Sequence, residues 1–178
     1  SLVRFDAGTG EEGVGFKDSE MEFLKYLKNL KTLNLSGDEK LNGGFLEYLF
    51  SNVFCELFWF DVDYSFEYGG ISKEQLFRLK RLSKLKVLKG VFLCKENKEE
   101  LCGVFSNLKN LEKLGISVKS EFIWGDVFKY ISSNLIELIV NDSFNGLKTE
   151  SLGLLSKFEK LRSLTINLKG GDKDYLRT

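Results

Sequence analysis

Apolar residues recur along this chain in a fixed short spacing, and that spacing itself recurs. The stretches Leu82-Ser-Lys-Leu-Lys-Val-Leu-Lys-Gly-Val-Phe-Leu93 and Leu155-Ser-Lys-Phe-Glu-Lys-Leu-Arg-Ser-Leu-Thr-Ile166 align without a gap, both reading L-S-K-[LF]-x-x-L-x-x-[VL]-x-[LI]. With the penultimate apolar position as anchor, the frame falls at Leu33, Phe60, Val91, Leu114, Leu138 and Leu164, at separations of 27, 31, 23, 24 and 26 residues. Three before the anchors stand Leu30, Leu57, Leu88, Leu111, Leu135 and Leu161; two after them stand Leu35, Val62, Leu93, Ile116, Val140 and Ile166. All 18 cells are apolar in a chain that is 43% hydrophobic, so composition alone does not produce the frame. Six before the anchor, Ser132 alone breaks an otherwise apolar column. A weaker copy, Leu2 to Ala7, has its anchor Phe5 28 residues before Leu33.

Apolar residues at the anchor and two beyond it, with other residues between, predict a short strand with one buried face. Ahead of each strand the sequence predicts a helical stretch. Start signals stand at Asp18, at Ser72 with Gln75 three residues on, at Asn97 with Glu100, at Asp126 and at Thr149. The absence of proline suits uninterrupted helices and ladders.

This L-x-x-L-x-L frame resembles the leucine-rich repeat family over about residues 20–168. The resemblance implies an α/β fold of the leucine-rich repeat solenoid type, a horseshoe with parallel strands on the concave face and helices on the convex face. Parallel strands stack about 4.8 Å apart whereas packed helices need about 8–10 Å, so such a stack bends with its strands inside. Residues 1–178 are expected to form a single domain of six to seven repeats, a piece of a longer chain. The fuller family repeat carries Asn or Cys five after the anchor; here those cells hold Asp38, Ser65, Glu96, Lys119, Ser143 and Lys169. The likeness to ribonuclease-inhibitor-like or F-box-associated subclasses is correspondingly loose.

Strand residues flanking the anchors face away from the core. They place Trp59, Asp61, Asp63, Phe92, Lys113, Glu137, Ile139 and Asn141 on the concave surface, with Gly90 and Gly115 leaving room beside them. An aromatic anchor among desolvatable charges is the chemistry of a protein-binding hot spot. The competing reading is a one-residue register slip, which would bury Trp59 and turn both aspartates inward.

Composition narrows the function classes. Lys and Arg number 26, Asp and Glu 26, so the net charge is zero and no general attraction for nucleic acid or anionic lipid is expected. Thirty leucines and 16 phenylalanines supply one core. The apolar run from Val53 to Val62 is interrupted by Glu56 and is far shorter than the roughly 20 residues a membrane span needs. The chain has no His, which removes Ser-His-Asp and Cys-His catalysis and imidazole metal ligation; no catalytic residue, metal or cofactor is expected. Three cysteines cannot all pair, which favours a reducing, cytoplasmic setting.

Other motifs read as structural. Gly8-Thr-Gly10-Glu-Glu-Gly13 matches a dinucleotide fingerprint, but Glu11 and Glu12 would repel a pyrophosphate and the helix signal comes only near Asp18. Asp61-x-Asp63-x-Ser65 begins like a calcium loop, yet its sixth position is Phe66 and its twelfth Ser72. The cations Lys80, Arg81, Lys84, Lys86 and Lys89 alternate with leucines and read as a solvated flank. Nothing near Cys94 activates a thiol, and the acceptor triplets at Asn34 and Asn141 matter only in a secretory setting. The function expected is a noncatalytic module binding a protein or peptide. The alternatives are the substrate-recognition part of a ubiquitin-ligase adaptor, a GTPase-activating array, and a secreted or surface-exposed pathogen or receptor ectodomain.

Overall fold

Each short alternation of apolar and polar residues forms a strand, and each strand pairs with the one that follows it in sequence. The computed structural model describes residues 2–7, 15–37, 41, 43–51, 57–61, 73–93, 98–118, 124–142 and 149–168. The strands are β1 (Arg4–Asp6), β2 (Thr32–Asn34), β3 (Trp59–Asp61), β4 (Val87–Leu93), β5 (Lys113–Val118), β6 (Glu137–Asp142) and β7 (Ser163–Leu168). They form one α/β architecture around a seven-stranded, all-parallel sheet in the order β1-β2-β3-β4-β5-β6-β7.

One hydrogen-bond pattern recurs at all six strand junctions. The carbonyl two residues before the central apolar residue of one strand accepts two N–H groups from the start of the next. Lys31 O accepts from Phe58 and Trp59 (2.8 and 3.1 Å), and Glu112 O accepts from Ile136 and Glu137 (2.7 and 3.1 Å). Val3, Phe58, Lys86 and Ile136 carbonyls do the same. Phe5, Leu33, Phe60, Leu88, Leu114, Leu138 and Leu164 therefore lie side by side. From Leu33 to Leu138 this row is at most 1% exposed. Leu30, Leu57, Leu85, Leu111 and Leu135 form a second buried row, and both rows join the helix residues in a single core.

The register corrects one expectation. Val91 does not occupy the central position of its strand; Leu88 does, pairing with Phe60 on one side and Leu114 on the other. Val91 takes the place two beyond, opposite Ile116, because β4 carries an extra residue between Leu88 and Val91. Gly90 lies in that irregularity with φ 81°, a left-handed conformation that side chains other than glycine's resist. The gapless alignment of 82–93 with 155–166 is thus one L-x-x-L step out of frame. With Leu88 as centre, the neighbouring separations become 28 and 26 residues instead of 31 and 23.

Helical segments bridge the strands but are short. They are a 3-10 run at Asp18–Tyr26, α1 (Phe45–Ser51), α2 (Lys73–Arg78) with a 3-10 turn at Leu79–Arg81, α3 (Lys98–Asn107), α4 (Trp124–Phe128), and α5 (Thr149–Gly153) with a 3-10 turn at Leu154–Lys157. Of the start signals, Ser72 and Asn97 lie outside the described residues. Asp126 and Thr149 stand within their helices instead of ahead of them, and Asp18 does a different job: its Oδ1 accepts the Phe45 N–H at 3.0 Å, capping α1 one segment later. Short helices leave most of their carbonyls without an internal partner, and side chains of the next segment supply donors. Arg81 donates to Phe50 O (2.7 Å) and Lys157 to Phe128 O (2.5 Å). Among the described residues no helix is long and apolar enough to cross a membrane.

Candidate functional site

The sheet face turned away from the core carries the candidate residues. Phe60 is fully buried while Trp59 beside it is half-buried, so the one-residue slip that would have buried Trp59 in the core does not occur. Trp59, Val87, Lys113, Glu137 and Ser163 form one row across β3 to β7. Asp61, Lys89, Gly115, Ile139 and Thr165 occupy the second row of register positions along the same strands. Phe92 belongs by register to a third row, opposite Ser117 and in line with Asn141 and Asn167.

The frame shift in β4 therefore changes the site. The expected neighbours of Trp59 and Asp61 were Gly90 and Phe92; the residues in those places are Val87 and Lys89. Lys89 brings its ammonium to 5.9 Å from the Trp59 ring centroid, a cation–π arrangement. Its stem lies against Gly115, where an added Cβ would come within 3.2 Å of Lys89 Cγ. Of the expected partner-binding residues, Asp63 lies outside the described residues.

Two polar arrangements order this face. Lys113 Nζ and Glu137 Oε2 pair at 2.9 Å across β5 and β6, with side chains 40% and 23% exposed. An ion pair this wet contributes on the order of 0–1 kcal/mol, so its value lies in fixing two long side chains rather than in holding the sheet. Beside it, Asn167 Nδ2 donates to Asn141 Oδ1 (2.8 Å) and Asn141 Nδ2 donates to Ser117 Oγ (3.2 Å), a ladder across β5, β6 and β7. At the other end Asn34 Nδ2 donates to Asp6 Oδ1 at 2.9 Å. Ile139, half-buried between the charged pair and the ladder, supplies apolar surface. Both asparagines of the glycan-type triplets are thus engaged by neighbouring strands.

Other motifs disperse. Lys80 stacks on Phe77 at 3.3 Å, Arg81 caps a helix end and Lys86 pairs with Glu112 at 2.8 Å, so the basic run serves separate local contacts. The Gly8–Gly13 motif, Cys94 and the six cells five beyond the anchors lie outside the described residues. Cys102, on α3, is half-buried with Sγ 3.8 Å from Asp126 O. Burial pushes its thiol above the ordinary range despite the opposing charge of Lys98. Cys102 is expected to react with iodoacetamide at a pH of about 7.5 several-fold more slowly than a cysteine in the urea-unfolded chain. An equal or faster rate would indicate an activated thiol.

No protein-family profile matches the chain, and no curated protein matches it.

Proposed function

We propose that this chain is a leucine-rich repeat array of seven repeats that acts as a noncatalytic recognition module, holding a protein or peptide against its strand face. The observation that carries the reading is the stacking of seven parallel strands in sequence order, with a row of side chains buried from Leu33 to Leu138 along one face. Such a stack leaves a ribbon of the alternate side chains uncovered. Strand spacing smaller than helix spacing curves the ribbon into a concave, horseshoe-like surface. On it Trp59, Lys89, Ile139 and the Lys113–Glu137 pair combine an aromatic anchor, apolar surface and charges already held in place, which lowers the ordering cost of binding.

The described residues of the face offer amides, an ion pair and aromatic surface, groups that hold a partner through hydrogen bonds, charge and packing. Asn141 extends the same surface with amide donors and acceptors. The test is affinity capture from the native source, followed by titration of the purified partner against variants. Trp59→Ala and the double variant Lys113→Ala/Glu137→Ala are each expected to weaken binding by about tenfold or more, with thermal midpoints close to that of the parent chain. Unchanged affinity in both would remove this face as the binding site.

A further inference from the structure

A hollow lies on the turns that lead from the helical segments into β5, β6 and β7. This cavity of about 370 Å³ is lined by Lys109, Lys129 and Lys157 together with Ser106, Tyr130 and Ser133. The hollow is open to solvent and has room for roughly a dozen waters at about 30 Å³ each. Its origin is legible in the chain. Ser132, also in the wall, holds the position that Leu27, Leu82, Leu108 and Phe158 hold in other segments. A hydroxymethyl group where those segments place a large apolar side chain leaves space. Ser132 is itself 7% exposed and satisfied, donating to Lys109 O at 2.8 Å and accepting from Asn134 N–H at 3.2 Å.

The lining includes three lysines and no acidic residue. Lys129 is partly compensated by Asp126, 3.5 Å away and outside the lining, whereas Lys109 makes no ion pair among the described residues. Lys157 is half-buried and donates to the Phe128 carbonyl; its ammonium is held below the usual lysine range, first by burial and then by the charge of Lys109. Lysines at helix ends commonly serve exposed carbonyls; an ammonium that does so with one donor keeps others for a second acceptor. Ammonium groups are compact point charges, unlike the planar fork with which arginine grips a carboxylate. Three lysines around one hollow, with Ser133 and Tyr130 also in its lining, supply the positive charge and hydroxyl-bearing side chains suited to a tetrahedral, multiply charged oxyanion.

We propose that this cavity binds a phosphomonoester group, carried by a small molecule or by a phosphorylated side chain of a peptide. The site is separate from the strand face, so it stands whether or not that face binds a partner. The experiment follows amide and lysine side-chain NMR signals of the full chain while inorganic phosphate, phosphoserine and a phosphoserine peptide are titrated at constant ionic strength against chloride. The expected result is saturable shifts confined to Lys109, Lys129, Ser133, Asn134 and Lys157, with the Lys157 ammonium titrating at higher pH once phosphate is bound. Lys157→Gln is expected to weaken phosphoserine binding by about tenfold. Ser132→Leu, which refills the hollow with the side chain other segments use, is expected to abolish binding while the remaining spectrum keeps its dispersion. A peptide binding about tenfold more tightly than phosphoserine assigns the group to a peptide partner, and equal affinities assign it to a small molecule. Shifts that match those of chloride, spread over all lysines, or survive in both variants would overturn the proposal.

Discussion

Phe60→Ala is expected to lower unfolding stability by about 3–5 kcal/mol, the usual cost of emptying a large buried aromatic site. Phe60 is fully buried within the central row, between Leu33 and Leu88 on the neighbouring strands. The loss is a large share of a total of about 5–15 kcal/mol for a domain, so the variant should melt far below the parent chain. The control is Leu164→Ala in the same row on the last strand. Leu164 is 44% exposed, and its truncation should cost no more than about 1.5 kcal/mol, since less area leaves water on folding. Urea unfolding of both variants measures the difference; equal losses would mean that the row is not the core the register describes.

Gly90→Val is expected to destabilise the chain by about 1–3 kcal/mol through backbone strain. The φ of 81° at Gly90 belongs to the left-handed region, which a β-branched side chain tolerates least. Gly90→Asn should cost clearly less, because asparagine visits that region more readily. The loss should come with a functional signature. Gly90 lies in the irregularity that lets Leu88 and Val91 both reach the core while Lys89 lies between Trp59 and Gly115. A chain that relieved the strain by realigning β4 would move Lys89, and the Trp59 fluorescence maximum of the Gly90→Val variant would shift relative to that of the parent. A variant as stable as the parent, with unchanged emission, would show that the irregularity carries no constraint.

The strands are legible because a parallel sheet with one covered face writes its burial directly into every second residue. Leu33, Phe60, Leu114 and Leu138 sit where the spacing puts them. The frame of β4 is not legible from likeness alone, because Leu82, Leu85, Leu88 and Val91 are spaced three apart and match the pattern equally well one step along. What distinguishes the two frames is Gly90, whose role depends on a backbone angle, and the evenness of the separations. The same ambiguity hides Val87 and Lys89 from the candidate face and puts Phe92 in the wrong row. Helix limits are less legible still. Asp18 carries a capping residue type but serves α1 rather than the segment it begins, a long-range contact no local signal encodes. The lysine-lined hollow is hidden in the sequence because its cations come from three separated turns; the visible trace is Ser132 breaking its column.

The paired carbonyls at the strand junctions have a consequence for how the molecule opens. Among the described residues each strand is bonded to its predecessor and successor in the chain, so no distant closure locks the sheet as a whole. Amide protons of β4 and β5 should exchange with deuterium most slowly and those of β1 and β7 fastest, as in a zipper whose teeth part from either side.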